Sequence, residues 1–331
     1  MTATEGSTRV TTTDPSTVGT VADTAAAITA NVQRVIRGKA ELVRLAVAGL
    51  LAEGHLLIED VPGLGKTTLA RAVARSIGGQ WRRIQFTPDL LPGDITGVTV
   101  YRQKDESFAF HPGAVFANIV VADEINRGTP KTQSALLEVM SERRVTVDGV
   151  SYPVPRPFLV VATQNPIELE GTYRLPEAQL DRFLMRLSVG YPDRASEVDV
   201  VLGSASGEGP DDLPAVVDTE TLQKAIDEVR AQHVDPMLAD YAVRLASATR
   251  EHAAVRYGAS VRGSIALVRA GQAIAAMDGR AYVTPDDIKD VAVPVLAHRL
   301  VRTAEAELNL RDTTRIVAEV LAAVAVPTAS A

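Results

Sequence analysis

A glycine-rich loop between an apolar segment and a helical segment limits the possible folds more than anything else in the sequence. Its residues are Asp60, Val61, Pro62, Gly63, Leu64, Gly65, Lys66, Thr67 and Thr68. The glycines let backbone amides curl toward an anion, while the following helix adds free N–H groups and the positive end of its dipole. In such a loop Lys66 is predicted to hold the β- and γ-phosphates of a nucleotide, and Thr67 to ligate Mg²⁺.

The first position of this loop departs from the usual G-x-x-x-x-G-K-T pattern, because Asp60 stands in place of glycine. Aspartate tolerates unusual backbone angles better than most residues, so the loop can keep its shape. A carboxylate close to phosphates repels them, which predicts weakened nucleotide binding. The alternative is a turn that ends in Gly-Lys-Thr-Thr by chance, and the strand–loop–helix context disfavours it.

Short continuous apolar runs predict a buried parallel sheet. Five such runs are predicted as strands, at His55–Glu59, Arg83–Phe86, Asn118–Ala122, Phe158–Ala162 and Phe183–Val189. Segments with helical spacing lie between them, at Thr67–Ile77, Pro130–Arg143 and Glu177–Asp181. The alternation predicts an α/β domain. Hairpins are expected within the insertions Thr87–Pro112 and Arg144–Pro157, the second at an Asp-Gly turn.

The 331 residues suggest two domains, at about 100–200 residues per domain. Residues 1–22, rich in Thr and Ser, are predicted to be a disordered tail. The α/β domain is assigned to residues 23–190, a linker to 191–219 and an all-helical domain to 220–331. Its expected helices are Glu220–Ala231, Pro236–Glu251, Ser260–Met277, Pro285–Leu300 and Arg315–Ala325. Thr284, Pro285 and two aspartates form a typical helix start.

Composition excludes several classes of protein. The chain has no cysteine, which excludes disulfide frameworks, cysteine nucleophiles and thiolate metal sites. Its 34 basic and 41 acidic side chains give a net charge of −7, which argues against a general nucleic-acid or anionic-membrane binder. The N-terminal residues do not resemble a secretory signal, and the apolar run Ile316–Val326 is too short for a membrane span. A cytoplasmic location without a membrane span is therefore expected.

Two acids follow the third apolar run. Asp123 is predicted to hold hydrated Mg²⁺, and Glu124 to polarise the attacking water, which favours hydrolysis over transfer to another acceptor. Asn165 follows the next sheet strand, in the crevice where open α/β sheets bind ligands, so it is placed to hydrogen-bond the γ-phosphate or the water. A strand that ends in solvated acids and a plain Asn-Pro turn are the alternative interpretations.

Three arginines are candidates for stabilising charge on the γ-phosphate. Arg174 and Arg182 lie just before the last strand, and either could be supplied to the nucleotide of a neighbouring subunit. Arg262 opens a helix of the second domain and could reach back to the phosphates, as a lid arginine would. The alternative for each is an ordinary solvated or ion-paired arginine.

Together these motifs resemble those of the AAA+ ATPases, and within them the match is closest to the MoxR family. The resemblance covers residues 23 to 320, and the stretches that carry it are EDVPGLGKTTLA, RIQFTPDLLPGDITG, FHPGAVFANIVVADEINRGTPKTQSALLEVMSERRVTVDG, ATQNPIELEGTYRLPEAQLDRF and GASVRGSIALVRAGQAIA. It implies a P-loop NTPase core with a parallel sheet followed by an all-α lid domain. It also implies ATP and Mg²⁺ as ligands and a hexameric ring with the nucleotide between subunits.

The resemblance also assigns roles to residues. It implies that Lys66 and Thr67 belong to the Walker A motif, and Asp123 and Glu124 to Walker B. By the same match, Asn165 is sensor one, Arg182 the arginine finger, with Arg174 as the second candidate, and Arg262 sensor two. Thr87–Gly97 matches the helix-two insert and Val145–Tyr152 the hairpin before sensor one, and such inserts usually face the pore or the client. One departure is Val261, where the family often has proline.

MoxR-like proteins are thought to act as chaperones that mature other proteins, in some cases by metal insertion, often with von Willebrand factor A domain partners. The resemblance therefore implies a client protein, with any such partner on a separate chain. A second hypothesis is a nucleotide-dependent scaffold that binds ATP but scarcely turns it over. A third is a transcriptional activator or nucleic-acid motor on the same core, for which no basic cluster or DNA-binding motif is evident. A metabolic kinase is disfavoured because Glu124 would promote wasteful hydrolysis.

Overall fold

The computed structural model describes residues 20–166, 171–205 and 209–327. The predicted disordered tail lies outside these residues except for its last three, and of those Val21 already belongs to the first helix.

The chain folds into helices and strands with the following bounds. The helices are α1 Val21–Gln33, α2 Ala40–Leu51, α3 Lys66–Arg75, α4 Pro92–Thr96, α5 Pro130–Glu142, α6 Glu177–Leu180, α7 Arg194–Ala205, α8 Thr219–Ala231, α9 Pro236–Glu251, α10 Val261–Met277, α11 Pro285–Leu296, α12 Ala304–Leu308 and α13 Thr313–Ala323. The strands are β1 Leu56–Glu59, β2 Trp81–Gln85, β3 Gly97–Arg102, β4 Ser107–Pro112, β5 Ile119–Asp123, β6 Arg144–Val147, β7 Val150–Pro153, β8 Leu159–Gln164, β9 Met185–Leu187, β10 Val255–Tyr257 and β11 Val301–Arg302.

A five-stranded parallel sheet in the order β2-β5-β8-β1-β9 forms the centre of the α/β region. All five strands predicted from apolar runs are present, and the predicted fold class is confirmed. Because the strands are parallel, β1, β5 and β8 end at one edge of the sheet, which we call the carboxyl edge. We call the opposite edge, where the strands begin, the amino edge.

Both predicted hairpins are confirmed. β3 pairs with β4, and β6 pairs with β7 across the Asp-Gly turn. The two hairpins contact each other through Phe110 and Tyr152, whose rings stack with centroids 4.1 Å apart. Their outer surface keeps large apolar side chains exposed, among them Tyr101 and Phe108. The hairpins therefore contact each other and leave apolar side chains exposed to solvent.

Within residues 219–327 the chain is mainly helical, and it also contains the short antiparallel pair β10–β11, which the expectation of an all-helical domain did not include. The predicted start of α11 is confirmed: the Thr284 amide donates to the Asp287 carboxylate at 2.7 Å, and the Thr284 hydroxyl accepts from the Asp287 amide. This reciprocal pairing satisfies two donors of the first helical turn. The stretch 191–219, predicted as a linker, contains α7 and a 3₁₀ turn at Pro210–Asp212.

One hydrophobic cluster joins the sheet to the helical region. Ile28 of α1, Leu51 of α2 and Ile58 of β1 belong to the same buried cluster as Leu245 of α9 and Leu267 of α10. The first two helices therefore pack between the sheet and the C-terminal helices. A second cluster covers the other face of the sheet, against α5 and the β6–β7 hairpin.

A charged cluster lies beside this core, at the amino edge. The side chain of Glu53 is almost fully buried, and its carboxylate contacts Arg143 and Arg230 at 2.6 Å and Arg156 at 3.4 Å. A buried carboxylate needs such partners, because an unpaired charge is costly in the interior. In the described part of the chain, no helix combines the length and the apolar character needed to cross a bilayer.

Candidate nucleotide-binding site

The glycine-rich loop lies at the carboxyl edge, between β1 and α3. Gly63 and Gly65 both have φ of +82°, a left-handed conformation that side chains other than hydrogen disfavour. The ammonium group of Lys66 donates to the backbone carbonyl of Asp60 and, at 3.0 Å, to that of Gln164 at the end of β8. The loop thus curls around the lysine at the N-terminus of a helix, which is the arrangement that binds phosphate.

The carboxylate of Asp60 is engaged with the chain itself. One oxygen accepts from the Val61 amide at 2.8 Å, and the other accepts from the Ser188 hydroxyl and the Gly190 amide, both at 2.7 Å. Burial raises the pKa of Asp60, but the Gly190, Ser188 and Val61 hydrogen bonds outweigh it and leave this pKa lowered. These donors compensate the negative charge, which weakens the argument that Asp60 repels phosphate.

Lys66 lies among carboxylates. Burial lowers the pKa of its ammonium group, and Asp60, Glu124, Glu59 and Asp123 act in the opposite direction. An anionic ligand would replace part of the hydration that burial removes from the lysine.

Asp123 and Thr67, the two residues predicted to hold Mg²⁺, contact each other. The Thr67 hydroxyl donates to one Asp123 oxygen at 2.9 Å, and Thr163 donates to the same oxygen at 3.2 Å. Both Thr67 and Asp123 offer hard oxygen ligands, and proteins usually hold Mg²⁺ through one or two such groups together with substrate phosphates. Over residues 20–166, 171–205 and 209–327, no three His, Cys, Asp or Glu side chains group to hold a metal alone. The residues therefore fit Mg²⁺ bound jointly with phosphate oxygens.

Glu124 is held in place by its neighbours in the sheet. Its backbone has φ of +54°, unusual for a residue with a side chain, and its amide donates to the Thr163 hydroxyl at 3.0 Å. Its carboxylate accepts from the Gln85 amide group at 2.9 Å and contacts Arg127 at 3.2 Å. Strained backbone of this kind is typical of functional sites.

Asn165 follows β8 beside the acidic strand end, as predicted. Asn165 is buried, and its backbone carbonyl accepts a hydrogen bond from the Asn126 side-chain amide at 3.2 Å. It lines a cavity of about 600 Å³ together with Glu59, Gln164 and Arg174.

A second cavity, of about 750 Å³, adjoins the phosphate loop. Lys39, Asp60 and Val61 line it on the α/β side, and Val293 and Pro294 of α11 line it on the helical side. It is therefore a mixed polar and apolar cleft between the two regions, next to the loop.

Arg182 and Arg262 lie elsewhere, at the amino edge. They line a third cavity, of about 410 Å³, together with His55 at the start of β1. The Arg182 guanidinium donates to the Ser141 hydroxyl of α5 at 2.7 Å, and Arg262 contacts Asp181 at 3.6 Å. From residue 55 to residue 60 the chain advances about 16 Å, at about 3.3 Å per residue.

The expectation that Arg262 reaches back to the phosphates is therefore wrong within a single chain. The physical reason is that Arg262 begins a helix that packs at the amino edge, whereas the phosphate loop leaves the carboxyl edge. Arg174, in contrast, lines the carboxyl-edge cavity together with Asn165.

Sequence reasoning missed two side chains of β2. Arg83 contacts Asp123 at 2.6 Å, and Gln85 contacts Glu124. Their spacing of two residues puts them on one face of a strand, which is a readable signal. Their role depends on β2 lying beside β5, with Gln85 paired to Asp123, and sequence spacing does not reveal that order.

Comparisons with known proteins match both the α/β region and the helical region of the chain. The model of the ATPase family associated with various cellular activities (AAA) matches residues 55–185, and that of the AAA lid domain matches residues 247–320. The uncharacterised YeaC protein of Bacillus subtilis is 49% identical over 300 residues, which span 90% of this chain and 93% of that protein. Chaperone MoxR1 of Mycobacterium tuberculosis is 43% identical over 309 residues, spanning 91% and 81%. A solved structure of a candidate ATPase from Cytophaga hutchinsonii superposes with a TM-score of 0.85 at 37% identity, covering 93% of this chain and 96% of that one.

Proposed function

We propose that this chain, which belongs to the MoxR family of AAA+ ATPases, hydrolyses ATP to drive the remodelling or maturation of a client protein. One observation carries the proposal: the carboxyl edge brings together Lys66, Thr67, Asp123 and Glu124. The hydroxyl of Thr67 lies 2.9 Å from an Asp123 carboxylate oxygen. A phosphate cradle, a magnesium pair and a water-activating acid in one crevice are the parts that nucleotide hydrolysis needs.

Each side chain has a defined task in this proposal. The loop amides, the N-terminus of α3 and Lys66 bind the β- and γ-phosphates. Thr67 and Asp123 hold Mg²⁺, which neutralises charge on the phosphates when bound. Glu124, oriented by Gln85, polarises the attacking water, and Asn165 orients the γ-phosphate or that water. The 750 Å³ cleft beside the loop is the place for the base.

A ring is proposed because no single chain joins all the parts. Arg182 lies at the amino edge, remote from the phosphate loop, so it reaches a nucleotide only on a neighbouring subunit. A head-to-tail interface of this kind closes into a ring when the rotation allows, and the family relationship favours a hexamer. Arg262 lies in the same cavity as Arg182, so we assign it to the same neighbour's nucleotide. Arg174 remains the second candidate for the finger.

The client is proposed from the family relationship. A relative 43% identical to this chain is named a chaperone. We propose that the client, or a separate partner with a von Willebrand factor A domain, binds the ring in the cytoplasm. Metal insertion is one form of maturation that the proposal includes. The two hairpins, with Tyr101 and Phe108 exposed, are the surface proposed to face it.

Steady-state ATP turnover, measured across protein concentrations that span ring assembly, tests the enzyme. Turnover per chain should rise with concentration, vanish in Lys66→Ala, and vanish in Glu124→Gln although that variant still binds ATP. If wild-type turnover stays unmeasurable at concentrations that give a ring, the chain is a scaffold and the enzyme proposal fails.

The chaperone role needs a separate experiment. Glu124→Gln held in ATP serves as bait, with Lys66→Ala as the empty-site control, and captured proteins are identified by mass spectrometry. A protein captured only by the ATP-bound form supports the proposal. Identical captures by both variants, or captured nucleic acid, contradict it.

A further inference from the structure

Asp60 makes two kinds of contact that reach in different directions. Its backbone carbonyl accepts a hydrogen bond from the Lys66 ammonium group, inside the phosphate loop. Its side-chain carboxylate accepts from the Ser188 hydroxyl and the Gly190 amide, both at 2.7 Å. Both of these donors lie just beyond Leu187, the last residue of β9. One residue therefore joins the phosphate loop to the chain that leaves the sheet.

That departing chain, residues 188–191, is called here the exit segment. It leads to α7 and onward to the helical domain. Gly190 has φ of +64°, and a Cβ built there would come no closer than 3.6 Å to its nearest neighbour, the Lys39 ammonium group. Glycine is therefore needed for the left-handed turn and not for space. The Lys39 ammonium also donates to the Tyr191 carbonyl at 2.7 Å. The side chains of Asp60 and Lys39 therefore both hydrogen-bond to the exit segment.

The contact with Asp60 is stronger than an ordinary loop hydrogen bond. The pKa of its carboxyl is lowered, since the hydrogen bonds from Gly190, Ser188 and Val61 exceed the opposing effect of burial. Hydrogen bonds to an ionised acceptor are roughly twice as strong as neutral ones. Glycine, which usually occupies this loop position, has no side chain that could make the contact.

We propose that Asp60 is a positioning residue that passes the state of the phosphate loop to the exit segment, and from there to α7 and the helical domain. The inference rests on the proposed binding of ATP at this loop. It adds a set of hydrogen bonds through which that binding changes the structure outside the α/β region. A nucleotide that draws Lys66 toward its phosphates alters the hydrogen bond from Lys66 to the Asp60 carbonyl, and the carboxylate of the same residue carries the change to Gly190.

Hydrogen–deuterium exchange of the full chain, with and without Mg·ADP or a non-hydrolysable ATP analogue, tests the route. In the wild type, nucleotide should slow exchange in both the phosphate loop and the exit segment. In Asp60→Gly it should slow exchange in the loop alone. Without nucleotide, the Gly190 amide of this variant should exchange about tenfold faster, the effect of losing one hydrogen bond to a charged group. Ser188→Ala keeps the Gly190 hydrogen bond and should give a smaller change.

Asp105→Gly, in the exposed turn between β3 and β4, is the matched control and should behave as the wild type. Asp60→Ala replaces Asp60→Gly if the glycine variant fails to fold, because alanine also removes the carboxylate without adding the backbone freedom of glycine. Turnover is a second readout. Asp60→Gly should keep KM within about threefold and lower kcat about tenfold, because the variant loses the link to the exit segment but keeps the groups that bind ATP.

The outcomes separate the two proposals. If nucleotide slows exchange in the exit segment of Asp60→Gly as much as in the wild type, the positioning role is refuted while ATP binding stands. If nucleotide slows exchange nowhere in the wild type, the proposed nucleotide site is itself refuted, and the route falls with it.

Discussion

His55 is expected to make the stability of the fold depend on pH. The ring is buried between β1, α5 and β8: its Nε2 donates to the Met140 carbonyl at 3.0 Å, and its Nδ1 accepts from the Val160 amide at 3.0 Å. A proton added to Nδ1 would face the Val160 N–H, so the charged ring has no acceptor there. Burial, with smaller contributions from Arg143 and Arg269, lowers the pKa to about 4, against the opposing effects of the Met140 carbonyl and Glu53.

The sign and size follow from this shift. Between pH 6.5 and pH 4 the unfolded chain binds a proton at His55 that the folded chain does not, so stability falls as pH falls through that window. With a pKa of about 4 when folded against 6.5 when unfolded, acidification from pH 7 to pH 5 should cost about 2 kcal/mol.

The assay compares urea unfolding of the wild type and His55→Asn at pH 7, 6 and 5, followed by the fluorescence of Trp81, the single tryptophan. The variant should be less stable at pH 7 by about 1–3 kcal/mol, from the hydrogen bond lost to Met140. That gap should narrow by about 2 kcal/mol at pH 5. His111→Asn, at an exposed position, is the control and should run parallel to the wild type. A constant gap between wild type and His55→Asn at all three pH values would refute the reasoning.

Three further outcomes are expected. Lys66→Ala should bind no nucleotide and show no thermal shift with Mg·ATP, and a normal shift would remove the lysine from the site. Arg182→Ala should bind ATP but lose about 10³-fold or more in kcat, and normal turnover would transfer the role to Arg174. Glu53→Gln should cost about 1–3 kcal/mol in urea unfolding, because a buried neutral amide replaces the carboxylate that contacts three partly exposed arginines; the exposed Glu142→Gln is its control, and equal stabilities would contradict the argument.

The sequence predicted the sheet well because its signals are local. Apolar runs such as Asn118–Ala122 are dictated by burial on both faces of a parallel sheet, and the structure has that strand at Ile119–Asp123. The helix start at Thr284 was equally local. Both could be predicted because each depends on residues within a few positions of one another.

Long-range placement could not be predicted in the same way. Arg262 was expected to reach back to the phosphates as a lid arginine. The sequence shows that it opens a helix, but not at which edge of the sheet that helix packs. The carboxylate of Asp60 looked harmful because its partners, Ser188 and Gly190, lie about 130 residues away. The role of Gln85 likewise needed the strand order, which spacing does not encode.

The separation of Lys66 from Arg182 along the sheet has a consequence for mixed populations. If every active site combines the lysine of one chain with the arginine of the next, two inactive variants can complement each other. In random rings of Lys66→Ala and Arg182→Ala chains in equal amounts, about one site in four would pair an intact lysine with an intact arginine. Two preparations that are each silent would then regain about a quarter of the wild-type rate on mixing, an intersubunit rescue that a self-contained site could never show.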